Sequence, residues 1–159
     1  MEIRPASLAD LDALCGLSEL FFAHNDAQQP EYCRPVSFDK AAPDYGAYPK
    51  FVIESETQEH LLATEGGAVI GFCHVSQAET EPYASIAPHR FANIVDLFVL
   101  PERRSAGVGS ALLRAAADWA KRRKLDYLEL LVLAENKRAH SFYLRSGFGA
   151  ASTTMRLPL

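Results

Sequence analysis

The sequence predicts a single α/β domain, and three patterns support that prediction. Two strand-like runs flank Gly66-Gly67, which indicates a β-hairpin. An apolar run at 91–100 is followed by a helical pattern to about Lys124 and then by a second apolar run at 127–133. A strand, a helix and a strand in succession imply a parallel pair joined by a right-handed crossover. With 159 residues, 48% of them hydrophobic, residues 1–159 are expected to form one domain around one core.

The N-terminal elements follow from apolar spacing and a capping signal. Residues 2–5 have the pattern of a short strand, and Ser7 with Asp10 three residues later predicts the start of a helix. Residues 25–49 hold four prolines and three tyrosines, and they form either an ordered loop or short helix, or a disordered insert. Residues 51–53 either end a short helix or begin a strand.

The remaining elements follow in order along the chain. The hairpin strands are predicted at 60–65 and 68–75, and the polar residues 77–90, with two prolines, are predicted as a loop. Residues 136–145 predict a second long helix with Gly147 as its C-cap. Residues 148–157 are predicted as the final strand.

Charge is distributed unevenly along the chain. Residues 1–102 carry 16 acidic and 5 basic side chains (−11), whereas residues 103–159 carry 4 acidic and 11 basic ones (+7), which together give the net −4. This pattern argues against nucleic acid as a partner of the whole domain. It suits an anionic ligand on the C-terminal half and a cationic one on the N-terminal half, although solvated surface charge would give the same composition.

Other features exclude several classes of protein. No apolar run reaches the roughly 18 residues of a membrane helix, and the N-terminus does not resemble a signal peptide, so a cytoplasmic protein with no membrane partner is expected. Cys15, Cys33 and Cys73 lie far apart, and the five histidines show no metal-ligand spacing. Neither a disulfide framework nor a metal site is therefore expected.

The turn after the 91–100 run predicts an anion site. Gly107 and Gly109 let the backbone come close to a ligand and turn its amides inward. The first amides of a helix lack intrahelical partners and lie at the positive end of its dipole, so they bind phosphate oxygens, and Arg103 and Arg104 add positive charge. An ordinary strand-to-helix turn is the alternative. The dinucleotide and nucleoside-triphosphate loop signatures are both absent.

Two motifs resemble those of the GNAT superfamily of N-acetyltransferases. Arg104-x-x-Gly107-x-Gly109 after a strand is similar to its acetyl-coenzyme A signature. Residues 136–148 match its second motif, Asn-x-x-Ala-x-x-Phe-Tyr-x-x-x-Gly-Phe, at every specified position. The two motifs in this order, separated by a helix and a strand, are highly specific. The resemblance covers about residues 93–149, and the N-terminal part matches only in general layout.

The resemblance implies a mixed, twisted β-sheet that is flanked by helices and splayed between the fourth and fifth strands. Acetyl-coenzyme A (acetyl-CoA) would lie in the cleft as co-substrate, with no metal. Backbone groups of Leu97, Phe98 and Val99 would contact the pantetheine arm and the thioester carbonyl. Asn136 would contact the coenzyme, and it would also suit a helix cap. The pyrophosphate would be held by Arg104, Ser105, Ala106, Gly107, Val108, Gly109 and Ser110.

The matched motif also places a proton donor. Tyr143 would protonate the departing coenzyme A thiolate, because a phenol and a thiol have similar ordinary pKa values of about 10 and about 8.5. The alternative is a core tyrosine packed beside Phe142.

A proton acceptor is less directly matched. Asp96 is the first candidate, and alternation along the strand predicts that it faces away from Val95 and Leu97. Some members of the resembled family carry a glutamate at the position of Val95 or of Leu131, and this chain carries neither. Other candidates are Glu129, Glu79, Glu81 and His89.

The resemblance therefore implies an enzyme that transfers acetyl from acetyl-CoA to an amine of a small molecule or a peptide by direct attack in a ternary complex. The acidic N-terminal half favours a cationic acceptor. The alternatives are a coenzyme-binding regulatory module without turnover and an interaction module without coenzyme. Homodimers are common in the resembled superfamily, so a homodimer is an assembly to test.

Overall fold

A five-stranded mixed sheet organises the computed structural model, which describes residues 1–26, 42–81 and 87–157. The strands lie in the order β1-β2-β3-β4-β5, and all neighbours are antiparallel except β4 and β5, which are parallel. The predicted α/β fold and its parallel pair are confirmed. The elements are β1 (Glu2–Pro5), α1 (Leu11–Asp26), α2 (Ala47–Ile53), β2 (Gln58–Glu65), β3 (Ala68–Glu79), β4 (Arg90–Val99), α3 (Val108–Arg122), β5 (Leu128–Leu130) and α4 (Lys137–Arg145).

Each face of the sheet has its own apolar core. Trp119 and Leu112 of α3 are fully buried in the cluster on one face, which includes Val75 and Ile94 of the sheet. Leu14 and Leu17 of α1 pack on the other face in a cluster with Leu62, Phe72 and Phe98. Within the described ranges, no helix is long and apolar enough to cross a membrane.

The start of α1 is fixed by one acidic side chain. The Asp10 carboxylate accepts hydrogen bonds from the Ser7 backbone amide (2.8 Å) and from the Arg4 guanidinium (2.7 Å). The Arg4 contact holds the pKa of Asp10 well below its usual range despite partial burial. The predicted capping residues are thus confirmed, with a short 3₁₀ turn at Leu8–Asp10 before α1.

The sheet opens between β4 and β5, as the resemblance implied. β5 pairs with β4 only from Ala92 to Ile94, whereas β3 follows β4 as far as Val99. Beyond Ile94, the edge of β4 that faces β5 therefore has no strand partner among the described residues. Its free backbone groups line a cleft.

Several predicted boundaries are corrected. β5 ends at Leu130, because residues 131–133 leave the sheet and line the cleft instead. Residues 148–157 form no strand: Phe148 packs against the core under α3, but residues 149–157 are exposed and pair with no strand of the sheet. β3 continues to Glu79, into the segment 77–90 that was predicted as a loop, because β4 supplies it with an antiparallel partner. Residues 51–53 end helix α2. Of the uncertain segment 25–49, residues 27–41 lie outside the described residues.

Candidate functional site

A cavity of about 500 Å³ occupies the cleft between β4 and the segment after β5. Its walls come from the second half of β4, the loop before α3, residues 130–133, α4 and the end of α1. Two predicted site residues do not line it: Ala106 and Val108, the latter being buried in the core beneath α3. The predicted site residues that line it are Asp96, Leu97, Phe98, Val99, Arg104, Ser105, Gly107, Gly109, Ser110, Asn136 and Tyr143.

The loop before α3 has the geometry of an anion cradle. Gly107 is the N-cap of α3, and its φ of 83° suits glycine, as a side chain there would be strained. The first intrahelical bond of α3 runs from the Ala111 amide to the Gly107 carbonyl (3.0 Å). The amides of residues 108–110 therefore have no acceptor one turn back in the helix, which fits a phosphate group.

Gly109 serves packing between helices. A Cβ atom at Gly109 would lie 3.2 Å from the ring of Phe142 on α4. Glycine thus lets α4 approach the start of α3, and this approach brings Asn136 and Tyr143 to the same cavity. The second glycine of the first motif therefore allows the helix of the second motif to pack closely against it.

Arginines from two elements make the cavity electropositive. Arg104 donates from Nε to the Val99 carbonyl (3.0 Å) and lies over the Phe98 ring. Burial lowers the pKa of Arg104, and the charge of Arg138 on α4 lowers it further. The same two arginines add to burial in lowering the pKa of His24 at the end of α1. This field favours a polyanionic ligand.

Sequence reasoning did not single out Arg138 or Arg145 as site residues. Both line the cavity, because residues 138, 142 and 145 of α4 share one helix face. The spacing of these residues around Phe142 was the signal that could have identified them. The end of α1, with His24 and Asn25, lacked any comparable signal.

Asn136 caps α4, which confirms one of its two predicted roles, the helix cap. Its Oδ1 accepts a hydrogen bond from the Ala139 amide (3.0 Å). The side chain also lines the cavity, so its amide nitrogen is available for a ligand there. A cap of this kind holds the N-terminus of α4 against the cleft.

Tyr143 is half-buried in the cavity wall between two aromatic rings. Its ring lies 5.3 Å from that of Phe142 and 5.7 Å from that of Phe148. Burial raises the pKa of Tyr143 to about 12, with smaller contributions from Cys73 and Asp96. The phenol therefore stays protonated at neutral pH, which suits a proton donor and not a proton acceptor.

A β-bulge sets the direction of Asp96. In the pairing of β3 with β4, His74 lies opposite Asp96 and Val75 opposite Ile94, so Val95 is the extra residue. The bulge changes the face of every residue that follows it: Ile94 packs under α3, whereas Phe98, four residues on, packs under α1. Asp96 faces away from Leu97, which packs against the core under α3, as predicted, and the bulge interrupts strict alternation between Ile94 and Asp96.

Burial changes the acidity of Asp96. Only 20% of its side chain is exposed, and burial raises its pKa to about 6. A carboxylate of that pKa is ionised at neutral pH and is a stronger base than an ordinary aspartate.

The other candidate bases lie away from the cavity lining. Glu129 pairs with Asn93 before the sheet opens. Glu79 lies at the end of β3, and His89 precedes β4 and contacts the Tyr127 hydroxyl (2.8 Å). Glu81 follows the end of β3. Of these candidates, only Asp96 lines the cavity.

The comparisons with known proteins agree with the motifs. The acetyltransferase (GNAT) family profile matches residues 20–148. The chain belongs to the GNAT acetyltransferase family. Bacillus subtilis has a similar uncharacterized N-acetyltransferase, YhfO, which is 30% identical over 93% of this chain and 89% of its own length.

Solved structures show the same fold for this GNAT protein. A tetramutant of the BH1408 protein from Bacillus halodurans superposes with a TM-score of 0.89 at 22% identity, covering 100% of both chains. The aminoglycoside N-acetyltransferase AAC(6')-Iy in complex with CoA gives a TM-score of 0.76 at 16% identity, covering 99% of this chain and 98% of that one. This protein is an acyltransferase, and its family supports acetyl-CoA as the co-substrate.

We predict that Arg138→Glu weakens acetyl-CoA binding roughly 10- to 100-fold, because it reverses a charge on the wall of the anion cavity. Isothermal titration calorimetry with acetyl-CoA measures the change. Lys137→Glu is the matched control, since it alters net charge equally but its ammonium points to the Ala134 carbonyl and does not line the cavity. Equal loss in both variants would contradict a specific role for Arg138.

Proposed function

We propose that this GNAT protein transfers the acetyl group of acetyl-CoA to a primary amine of a cationic small molecule or peptide, by direct attack in a ternary complex. The observation that carries the proposal is the content of one cavity. An electropositive loop at a helix N-terminus, a mostly buried carboxylate and a half-buried phenol all line it. Binding of a pyrophosphate, removal of a proton and delivery of a proton are the three tasks this chemistry requires.

Asp96 removes the first proton in this mechanism. A primary amine has an ordinary pKa near that of lysine, about 10.4, so nearly all of it is ammonium at neutral pH and cannot attack. The Asp96 carboxylate takes a proton from the ammonium nitrogen, whose lone pair then forms a bond to the thioester carbonyl carbon. Free amides of β4 near Leu97, Phe98 and Val99 stabilise the negative charge that develops on the carbonyl oxygen.

Tyr143 delivers the second proton. When the carbon–sulfur bond breaks, its electron pair stays on sulfur, and the Tyr143 hydroxyl gives its proton to that thiolate. The acylated nitrogen still carries one proton more than a neutral amide, and it releases that proton to the Tyr143 phenolate, which restores the phenol before the neutral amide leaves. Since burial disfavours a phenolate, the step requires a thiolate that is itself poorly solvated, as it would be in the same cleft.

Charge and aromatic side chains support a cationic acceptor. The N-terminal half of the chain is acidic. Burial raises the pKa of Tyr48 on helix α2, and the nearby Asp96 carboxylate raises it further. The Tyr48 ring stacks on that of Phe51 at 6.5 Å. An aromatic pair beside a carboxylate suits an ammonium group, through charge and cation–π attraction.

A coenzyme-binding regulatory module is the second candidate function. The observation that favours it is the identity of Val95 and Leu131, because some members of the resembled superfamily carry a glutamate at one or the other of these positions; Leu131 is 87% exposed. The predicted cytoplasmic location, single-domain organisation and homodimer accompany both proposals, as do the expected lack of nucleic-acid and membrane partners. Thiol release with an amine separates an enzyme from such a module.

A panel of amines tests the acceptor class. We expect polyamines and lysine-ended peptides to release coenzyme A thiol with at least about tenfold higher kcat/KM than uncharged amines of similar size, because Asp96 and the aromatic pair near it favour an ammonium group. The assay follows free thiol with a chromogenic disulfide. Better reaction of the uncharged amines would contradict the cationic assignment, and binding of acetyl-CoA without thiol release from any amine would favour the regulatory module.

Tyr143→Phe removes the proposed acid and keeps the ring. We expect kcat to fall about 10²- to 10⁴-fold with little change in the Kd for acetyl-CoA, since only proton transfer is lost. Tyr127→Phe is the control, because its hydroxyl bonds His89 outside the cavity. Unchanged kcat in Tyr143→Phe would remove this residue from the mechanism.

Asp96→Asn removes the proposed base. The carboxyl pKa of about 6 lies above the ordinary value, and the base acts when ionised, so kcat/KM should rise with pH through about 6 in the native protein. In Asp96→Asn this acidic limb should disappear and kcat/KM at pH 7 should fall about 10²-fold or more. Asp118→Asn, on the exposed side of α3, should keep the limb. A limb that persists unshifted in Asp96→Asn would exclude Asp96.

A further inference from the structure

Three polar side chains form a row across the middle of the sheet. The register pairs His60 of β2 with His74 of β3, and His74 with Asp96 of β4. Directly opposed residues on neighbouring strands share a face, and the His60 and His74 rings lie 4.7 Å apart. His74 Nδ1 lies 4.0 Å from Asp96 Oδ2. A fully buried imidazole thus stands directly behind the carboxylate at the cavity.

The neighbours of His74 fix its tautomer. Its Nε2 lies 2.9 Å from Oε1 of Gln58 on β2, and an amide oxygen only accepts hydrogen bonds, so Nε2 carries the hydrogen. Burial lowers the pKa of His74 to about 4, and the neutral ring has one N–H. Nδ1 is therefore a bare lone pair, and it has no hydrogen-bond partner among the described residues.

Three titratable side chains face this ring within the described residues: His60 from β2, Tyr48 from α2 and Asp96 from β4. Burial, followed by the neighbouring His74, lowers the pKa of His60 to about 3, so that ring is neutral. Burial raises the pKa of Tyr48, so the phenol is neutral as well. Asp96 is the member of this set whose charge changes near neutral pH.

A lone pair that faces a carboxyl group stabilises only one of its two states. The ionised carboxylate cannot hydrogen-bond to bare Nδ1, and the two atoms stand at 4.0 Å. The protonated carboxyl can donate its O–H to Nδ1 once the side chains close by about 1 Å. A hydrogen bond to the neutral form of an acid increases its affinity for a proton.

We propose that His74 is a positioning residue for acetyl transfer, whose Nδ1 accepts a hydrogen bond from Asp96 after that carboxyl has taken the proton of the acceptor amine, while Gln58 fixes the tautomer. This inference rests on the proposed function of Asp96. The proton moves from the ammonium nitrogen to Asp96, is held there by the bond to Nδ1, and returns to solvent when the product leaves. His74 itself stays neutral throughout.

The test is a carbon-13 NMR titration of protein labelled at its aspartate carboxyl groups, with Asp96→Asn identifying the signal. We expect Asp96 to titrate near pH 6 in the native protein. His74→Phe keeps a planar ring but removes the acceptor, and should lower the midpoint by about 0.5–1 pH unit. His74→Asn can present an amide oxygen at the position of Nδ1, so its Asp96 midpoint should return to the native value. The acidic limb of kcat/KM should move with the NMR midpoint.

His60→Phe is the matched control, because this ring is also buried but lies one strand further from Asp96. It should leave the midpoint unchanged. A folded His74→Phe variant whose midpoint stays or rises would overturn the proposal, because removal of Nδ1 would then not have destabilised the protonated carboxyl. A fall of the same size in the Asp96 midpoint of His60→Phe would show that the effect comes from general packing, and it would also overturn the proposal.

A second measurement needs no variant at position 74. Nitrogen-15 NMR of the native protein distinguishes a protonated from a bare ring nitrogen, and we expect Nε2 protonated and Nδ1 bare at neutral pH. The reverse assignment would overturn the proposal even if His74→Phe did not fold. Both NMR measurements can be made without an acceptor amine, so they test the role of His74 Nδ1 independently of acetyl transfer. A native protein that transfers acetyl to no amine would contradict the proposed function, and the catalytic role of His74 would fail with it.

Discussion

The site depends on how β4 divides its hydrogen-bonding edges between two partners. On one edge, β3 accompanies β4 along its whole length; on the other, β5 leaves after three paired residues that end at Ile94. The next residue, Val95, is the bulge. A bulge bends a strand and increases its local twist, so it lies where the two strands separate. The backbone edge that this opening exposes is where the proposed function places the co-substrate.

The same bulge distributes chemistry between the two faces of the sheet. Before it, Ile94 packs with the core under α3; after it, Asp96 and Phe98 share the face covered by α1. Without the extra residue, Asp96 would share a face with Ile94. The bulge therefore places a carboxylate beside His74, where burial strengthens it as a base. One inserted residue links the backbone of the cleft to the acid–base properties of its side chains.

Electrostatics divide the cavity into two regions. Around the start of α3, Arg104 and Arg138 add their charges to the free amides of the helix, and the pKa of His24 is lowered first by burial and then by these two charges. Around Asp96, the side chains are neutral or acidic, and burial raises the pKa values of Asp96, Tyr48 and Tyr143 alike. Under the proposed function, the polyanionic co-substrate and the cationic acceptor are attracted to different ends of one cleft. This separation follows the charge asymmetry of the two halves of the chain.

Local sequence determined the hairpin, the helices α1, α3 and α4 and the glycine loop, because each depends on neighbours within one or two turns of chain: paired glycines, a cap such as Asp10 or Asn136, or a run of apolar spacing. The parallel pair followed from the order of a strand, a helix and a strand along the chain. Tertiary contacts decided the rest. The length of β3 to Glu79 depends on β4, and the place of Arg138 in the cavity depends on how closely Gly109 lets α4 approach α3. The proximity of His74 to Asp96 depends on a register shift between strands some twenty residues apart, and a register is set by pairing, which no single strand encodes.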